Sequence, residues 1–133
     1  MDLKSMHRYA PLVLRLAMSF VVLWFGFTQL VAPQTFMGYM PSWMPMMGPM
    51  MHMQPVSFIT FNAVFEIIFG FLLLLGFFTR IAAFLLFLHI FFIGINFGYN
   101  DIAVRDIGLS LATLAVCLQG PDAWCLDHNK LKR

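Results

Sequence analysis

The 133-residue chain has the composition of a membrane protein. Hydrophobic residues make up 61% of it, aromatic residues 17% and charged residues only 11%, and the net charge is +2. An ordinary soluble domain is about 25% charged, and a chain this short has too little interior to hide so much apolar surface. The composition therefore excludes a water-soluble globular domain and predicts an integral membrane protein.

Four apolar runs predict four transmembrane helices in one domain covering residues 1–133. A membrane-spanning helix needs about 20 residues, within a range of about 17–25. The predicted helices cover residues 9–31, 56–78, 80–97 and 102–119, with a loop over 32–55 and a tail over 120–133. The predicted fold class is all-α: an integral membrane four-helix bundle with a Met- and Pro-rich interfacial segment between its first two helices.

The basic residues predict how the helices are oriented. Lys and Arg occur before and at the start of the first helix, between the second and third helices, and in the tail, whereas the loop over 32–55 contains neither. Because loops rich in Lys and Arg stay in the cytoplasm, both termini are expected there, with the loop on the periplasmic or extracellular side. Arg105, at the outer start of the fourth helix, is the exception.

Polar residues inside the apolar runs mark a candidate site. A charged side chain at the bilayer centre costs about 2.5–3.5 kcal/mol even on a lenient scale, so it usually faces the bundle interior. Glu66 lies near the middle of the second helix, and His89 lies at a similar depth in the third. Helical spacing puts Asn62 on the face of Glu66 and Asn96 on the face of His89. Asp106 begins a polar stripe on the fourth helix.

These side chains, together with Arg105, are expected to converge on one cavity that opens toward the outer leaflet. The candidate catalytic residues are Glu66, His89 and Arg105. The candidate cofactor-binding residues are Asn62, Asn96 and Asp106. A structural alternative stays open, because polar contacts between membrane helices contribute about 0.6 kcal/mol each and are a common way of holding helices together.

Eight of the eleven methionines lie within residues 37–53. Thioethers select Cu(I), which makes this segment a candidate copper site. The candidate metal ligands are Met40, Met44, Met47, Met50, Met51, His52 and Met53. Prolines at 41, 45 and 49 interrupt any helix, and methionine is also a flexible hydrophobic residue. The alternative is therefore an apolar lid lying at the membrane interface.

Three stretches resemble the DoxX family in their order and spacing. NAVFEIIFGFLLLLGFFTRIAAFLLFLH, residues 62–89, is similar to the family's second and third helices and the turn between them. WFGFTQLVAPQTFMGYMPSWMP is similar to the exit from its first helix, and VRDIGLSLATLAVCLQGPDAWCLD to its fourth helix and ending. The resemblance covers about residues 8–127.

The resemblance implies a four-helix protein of the cytoplasmic membrane. Some relatives are subunits of a thiosulfate:quinone oxidoreductase, and others serve redox-linked membrane complexes. Glu66, Arg80 and the pair Arg105–Asp106 match polar positions of the family. The methionine-rich loop departs from the family pattern.

Three functions fit these observations. The first is a redox-linked subunit whose cavity binds a quinone headgroup or a sulfur compound, with Glu66 and His89 exchanging protons and Arg105 holding an anion. The second is a Cu(I)- or Ag(I)-binding membrane protein, and the third is a non-catalytic assembly subunit. No nucleotide-binding loop or haem-attachment motif occurs, which favours an oxidoreductase subunit over a complete enzyme. The expected partners are lipid, other redox subunits or a second copy, and not nucleic acid.

Overall fold

The computed structural model describes residues 3–40 and 54–127, and the regular elements within these ranges are helices. The α-helices are α1 (Leu3–Val31), α2 (Pro55–Leu75), α3 (Thr79–Asn96) and α4 (Asp101–Gln119). A short 3-10 helix, Pro33–Tyr39, follows α1. The all-α class is confirmed. The described residues form five helices where the sequence predicted four, so a simple four-helix bundle is not confirmed.

Three of these helices are long and apolar enough to cross a membrane. They are the segment Met6–Val31 of α1, and α2 and α3 over their whole lengths. The helix α4 is not among the three, and it carries the charged residues Asp101, Arg105 and Asp106 in its first two turns. Its crossing of the membrane stays a prediction.

The helix bounds show where apolar runs mislead. The helices α3 and α4 lie within one residue of the predicted 80–97 and 102–119. The predicted start of the first helix at residue 9 is wrong, because α1 already begins at Leu3, before the apolar run. The predicted end of the second helix at residue 78 is also wrong. Gly76 adopts φ 67° and ψ 40° and ends α2 after Leu75, although the apolar residues Phe77 and Phe78 continue the run.

The turn between α2 and α3 requires glycine at position 76. Its left-handed backbone conformation favours a residue without a Cβ atom. A Cβ atom there would also lie 2.6 Å from the Cα atom of Cys125, which is a backbone atom and cannot move aside easily. The turn and the segment after α4 are therefore in close backbone contact.

The four α-helices pack as two pairs. The helix α1 lies along α2, and α3 lies along α4, while the two pairs meet each other less extensively. The buried core contains Leu73, Leu86 and Val116, toward the end of the molecule that carries the α2–α3 turn. The polar side chains predicted from the sequence lie closer to the other end.

Candidate functional site

A cavity of about 530 Å³ is lined by residues of all four α-helices and of the 3-10 helix. Most of its lining is apolar, with many aromatic side chains. All six residues that the sequence predicted for the cavity line it, namely Asn62, Glu66, His89, Asn96, Arg105 and Asp106. The structure therefore brings these side chains together. Their chemical roles stay predictions.

Glu66 is held by amide side chains from two helices. Nε2 of Gln29, on α1, donates a hydrogen bond to Oε2 of Glu66 at 2.8 Å. Nδ2 of Asn62, one turn away on α2, lies 3.2 Å from Oε1 of Glu66 and donates to Oε1 of Gln29 at 2.6 Å. All three side chains are buried. They form a closed network at the interface of α1 and α2.

His89 faces this network from α3. Its Nε2 atom lies 3.5 Å from Oε1 of Glu66, which is longer than a normal hydrogen bond. Its ring stacks on Phe65 with 4.6 Å between centroids. Within residues 6–40 and 54–127, Nε2 of His89 is the one buried side-chain nitrogen or oxygen without a hydrogen-bond partner. Because buried polar groups are nearly always paired, this atom is a candidate for a hydrogen bond with a ligand in the cavity.

Arg105 and Asp106 form a second polar group on α4. Nε of Arg105 lies 2.8 Å from Oδ1 of Asp106, and the guanidinium carbon lies 4.9 Å from the ring centroid of Phe25 on α1. The Arg105 side chain is 47% exposed and that of Asp106 only 9%. Arg105 thus reaches across from α4 to α1. Asn96 donates to the carbonyl of Phe92 at 2.6 Å.

The methionine segment lies largely outside the described residues. Of the predicted metal ligands, Met40 lines the cavity. The others fall within residues 41–53, which the structure does not describe, namely Met44, Met47, Met50, Met51, His52 and Met53. The predicted copper site therefore stays a prediction.

A second buried polar cluster, which was not predicted from the sequence, lies at the end of the helix assembly that carries the α2–α3 turn. Nε of Arg15, on α1, donates to Oδ2 of Asp122 at 2.7 Å, and both side chains are only 3% exposed. The Arg15 guanidinium also donates to the main-chain carbonyls of Leu73 and Leu74 at the end of α2. The pair links the first half of α1 to the segment after α4.

The charge state of Asp122 affects stability at low pH. Burial acts to raise its pKa, but the hydrogen bonds from Arg15 and from the main-chain N–H of Trp124, with the charge of Arg15, hold the pKa below its ordinary value. Because this pKa is lower in the folded than in the unfolded protein, the carboxylate stabilises the fold above about pH 4, the ordinary pKa of Asp. That stabilisation is lost as the pH falls through the folded-state pKa.

The rest of the segment after α4 is fixed in the same region. Asp127 accepts hydrogen bonds from the main-chain N–H groups of Phe78 and Thr79, at 3.0 and 2.7 Å, and so caps the start of α3. Cys125 is buried beside Gly76, and burial raises the pKa of its thiol. Residues 120–127 therefore close this end of the helix assembly.

These features define a protein whose described residues form apolar, membrane-capable helices around a largely apolar cavity that contains a few polar side chains. The family model DoxX matches residues 10–98, more than half of the chain, so the chain belongs to the DoxX family. The resemblance predicted from the sequence is thereby confirmed. Comparison with curated proteins and with solved structures finds no match. The protein is a multi-pass membrane protein of this family, and its exposed apolar side chains, such as Phe20 and Trp24, are suited to contact with lipid.

Proposed function

We propose that this protein is a membrane redox subunit that binds a quinone ring in its cavity and exchanges protons with it. The observation that carries the proposal is the buried, unpaired Nε2 atom of His89 beside the Glu66 carboxyl group. The cavity volume of about 530 Å³ is typical of ligand pockets, which are mostly apolar with a few polar groups. A quinone combines the same two kinds of surface, because it has a flat apolar ring and carbonyl oxygens that accept hydrogen bonds.

Each polar residue has a role in this proposal. The proton on Nε2 of His89 passes to a ring carbonyl, and Glu66, whose Oε1 atom lies 3.5 Å from the same nitrogen, then returns a proton to it. Conversion of a quinone to a quinol takes two electrons and two protons. A partner redox subunit supplies the electrons, and the pair Glu66–His89 conducts the protons. Arg105, which lines the same cavity, holds an anionic group, such as that of a sulfur compound.

The proposal includes the predicted topology in the cytoplasmic membrane. The distribution of Lys and Arg supports cytoplasmic termini and an outer loop over residues 32–55. Thr35, Phe36 and Tyr39, at the beginning of that loop, line the cavity. In this orientation the cavity lies toward the outer half of the membrane.

Binding of decylubiquinone tests the proposal. Purified protein in lipid nanodiscs is expected to bind radiolabelled decylubiquinone saturably, at one molecule per chain, above the amount that partitions into empty nanodiscs of the same lipid. A concentration series gives the dissociation constant. Binding that rises linearly and equals that of empty nanodiscs would contradict the proposal.

Cu(I) binding is a second candidate function, favoured by one specific observation. Eight of the eleven methionines lie within 17 residues, 37–53, and Met40 also lines the cavity. Two or three thioethers together with His52 form a suitable ligand set for Cu(I).

Titration with Cu(I) tests this second candidate. Stoichiometric binding is expected to disappear when the eight methionines of residues 37–53 are replaced by leucine, and to persist in a Met6→Leu control. If the unmodified protein does not bind Cu(I), or if the eightfold leucine variant binds as much as the Met6→Leu control, residues 37–53 are an apolar lid and not a metal site.

A further inference from the structure

We infer that Gln29 is a positioning residue for Glu66, one that holds the plane of the Glu66 carboxyl group so that an oxygen faces His89 and the bound ring. The inference rests on the proposed quinone function and adds a residue from a different helix to that site. Gln29 lies near the end of α1, and 94% of its surface is buried, its exposure being 6%.

Both ends of the Gln29 amide are fixed. Its nitrogen donates to Oε2 of Glu66 at 2.8 Å, and its oxygen accepts from Nδ2 of Asn62 at 2.6 Å. Turning the amide over would bring its nitrogen to the Asn62 donor and its oxygen to the Glu66 acceptor, and both hydrogen bonds would be lost. The amide therefore has one favourable orientation.

Gln29 in turn fixes the Glu66 carboxyl group. With Oε2 bonded to Gln29, the other oxygen, Oε1, lies 3.5 Å from Nε2 of His89. Asn62 contacts Oε1 at 3.2 Å, but it sits on the same helix as Glu66 and one turn away. Among the hydrogen bonds of the described residues, the one from Gln29 reaches the carboxyl group from another helix. Without it, the terminal torsion of Glu66, which is intrinsically broad, is free to rotate until neither carboxyl oxygen faces His89.

The approach of α1 to α2 supports this arrangement independently. Gly26 lies one turn before Gln29, and a Cβ atom at Gly26 would be 3.2 Å from Cβ of Glu66 and 2.9 Å from Cγ1 of Ile67. The backbone of α1 is thus in close contact with the residue that Gln29 binds. A glycine at this point brings α1 near enough for the Gln29 side chain to reach Glu66.

The test uses the fact that Glu66 is the only glutamate in the chain. Protein labelled with ¹³C at the glutamate carboxyl group has a single labelled side chain, so the isotope-shifted infrared band reports on Glu66 alone. The variants are Gln29→Leu, which removes the amide, and Gln29→Asn, which keeps an amide but shortens it by one methylene group. Gln34→Leu is the matched control, because Gln34 is exposed and does not line the cavity.

Both Gln29 variants are expected to shift the Glu66 band and to weaken decylubiquinone binding in nanodiscs roughly tenfold, the effect of losing about one hydrogen bond. The Gln34→Leu control is expected to match the unmodified protein in both measurements. An unshifted band in the Gln29 variants, or a shifted band with unchanged binding, would overturn the inference while the proposed function stands. Absence of binding by the unmodified protein would instead overturn the proposed function and, with it, the role of Gln29 toward the ring.

Discussion

Replacing His89 by phenylalanine is expected to leave the folded protein equally or more stable and to weaken its binding of decylubiquinone. The Nε2 atom of His89 is buried without a hydrogen-bond partner, and leaving a buried polar group unpaired costs about 1–3 kcal/mol. Phenylalanine removes that polar atom but keeps a flat ring that can stack on Phe65, as His89 does at 4.6 Å between centroids. The same change removes the proposed donor to the quinone carbonyl, so the affinity is expected to fall at least about tenfold.

The measurement compares two properties of the same variant. Thermal unfolding in detergent gives the change in stability, and the nanodisc assay gives the dissociation constant for decylubiquinone. His7→Phe is the matched control, because His7 is exposed on α1 and is not part of the cavity. If His89 instead stabilises the fold and does not bind the quinone, the reverse pattern is expected. The variant would then lose stability and bind the quinone as tightly as before.

Replacing Arg15 by leucine is expected to cause a large loss of stability. The substitution leaves the buried Asp122 carboxylate without a cationic partner, since both side chains are 3% exposed and lie 2.7 Å apart. Breaking a buried ion pair from one side costs about 3–5 kcal/mol. The main-chain carbonyls of Leu73 and Leu74 lose their donor as well. The variant is therefore expected to unfold at a clearly lower temperature than the unmodified protein.

Two further variants separate charge from packing. Arg8→Leu removes an exposed guanidinium that lies 5.2 Å from the ring of Trp124, and a small effect is expected, because exposed cation–π contacts contribute only about 0.5–1 kcal/mol. The double variant Arg15→Leu with Asp122→Asn is expected to recover part of the lost stability, because no unpaired charge remains buried. Equal unfolding temperatures for Arg15→Leu and the unmodified protein would show that the pair does not stabilise the fold.

The cavity residues could be predicted from the sequence because helical periodicity is a local property. A carboxyl group in the middle of an apolar run marks an interior face, and residues three or four positions away share that face. This reasoning placed Asn62 on the same helical face as Glu66, and it placed His89 at a similar depth in the membrane. The same reasoning did not select Gln29 as a site residue, because a glutamine near the end of an apolar run is equally compatible with the membrane surface.

The Arg15–Asp122 pair could not be predicted in the same way. Its members are separated by 107 positions, and Asp122 lies beyond α4 in a segment without helical periodicity. Only the packing of residues 120–127 against α1 and the α2–α3 turn brings them together. The end of α2 was misjudged for a related reason, since the left-handed conformation of Gly76 depends on the turn and not on the hydrophobicity of the residues that follow it.

Photoaffinity labelling with an azido-quinone tests most directly the claim that the cavity holds a quinone ring. After illumination in nanodiscs and protease digestion, the label is expected in peptides containing residues 58–66 and 89–97, which carry cavity-lining residues of α2 and α3. Excess decylubiquinone is expected to prevent that labelling. Label spread over exposed apolar residues such as Phe20 and Trp24, and not reduced by decylubiquinone, would contradict the claim that the cavity holds the ring.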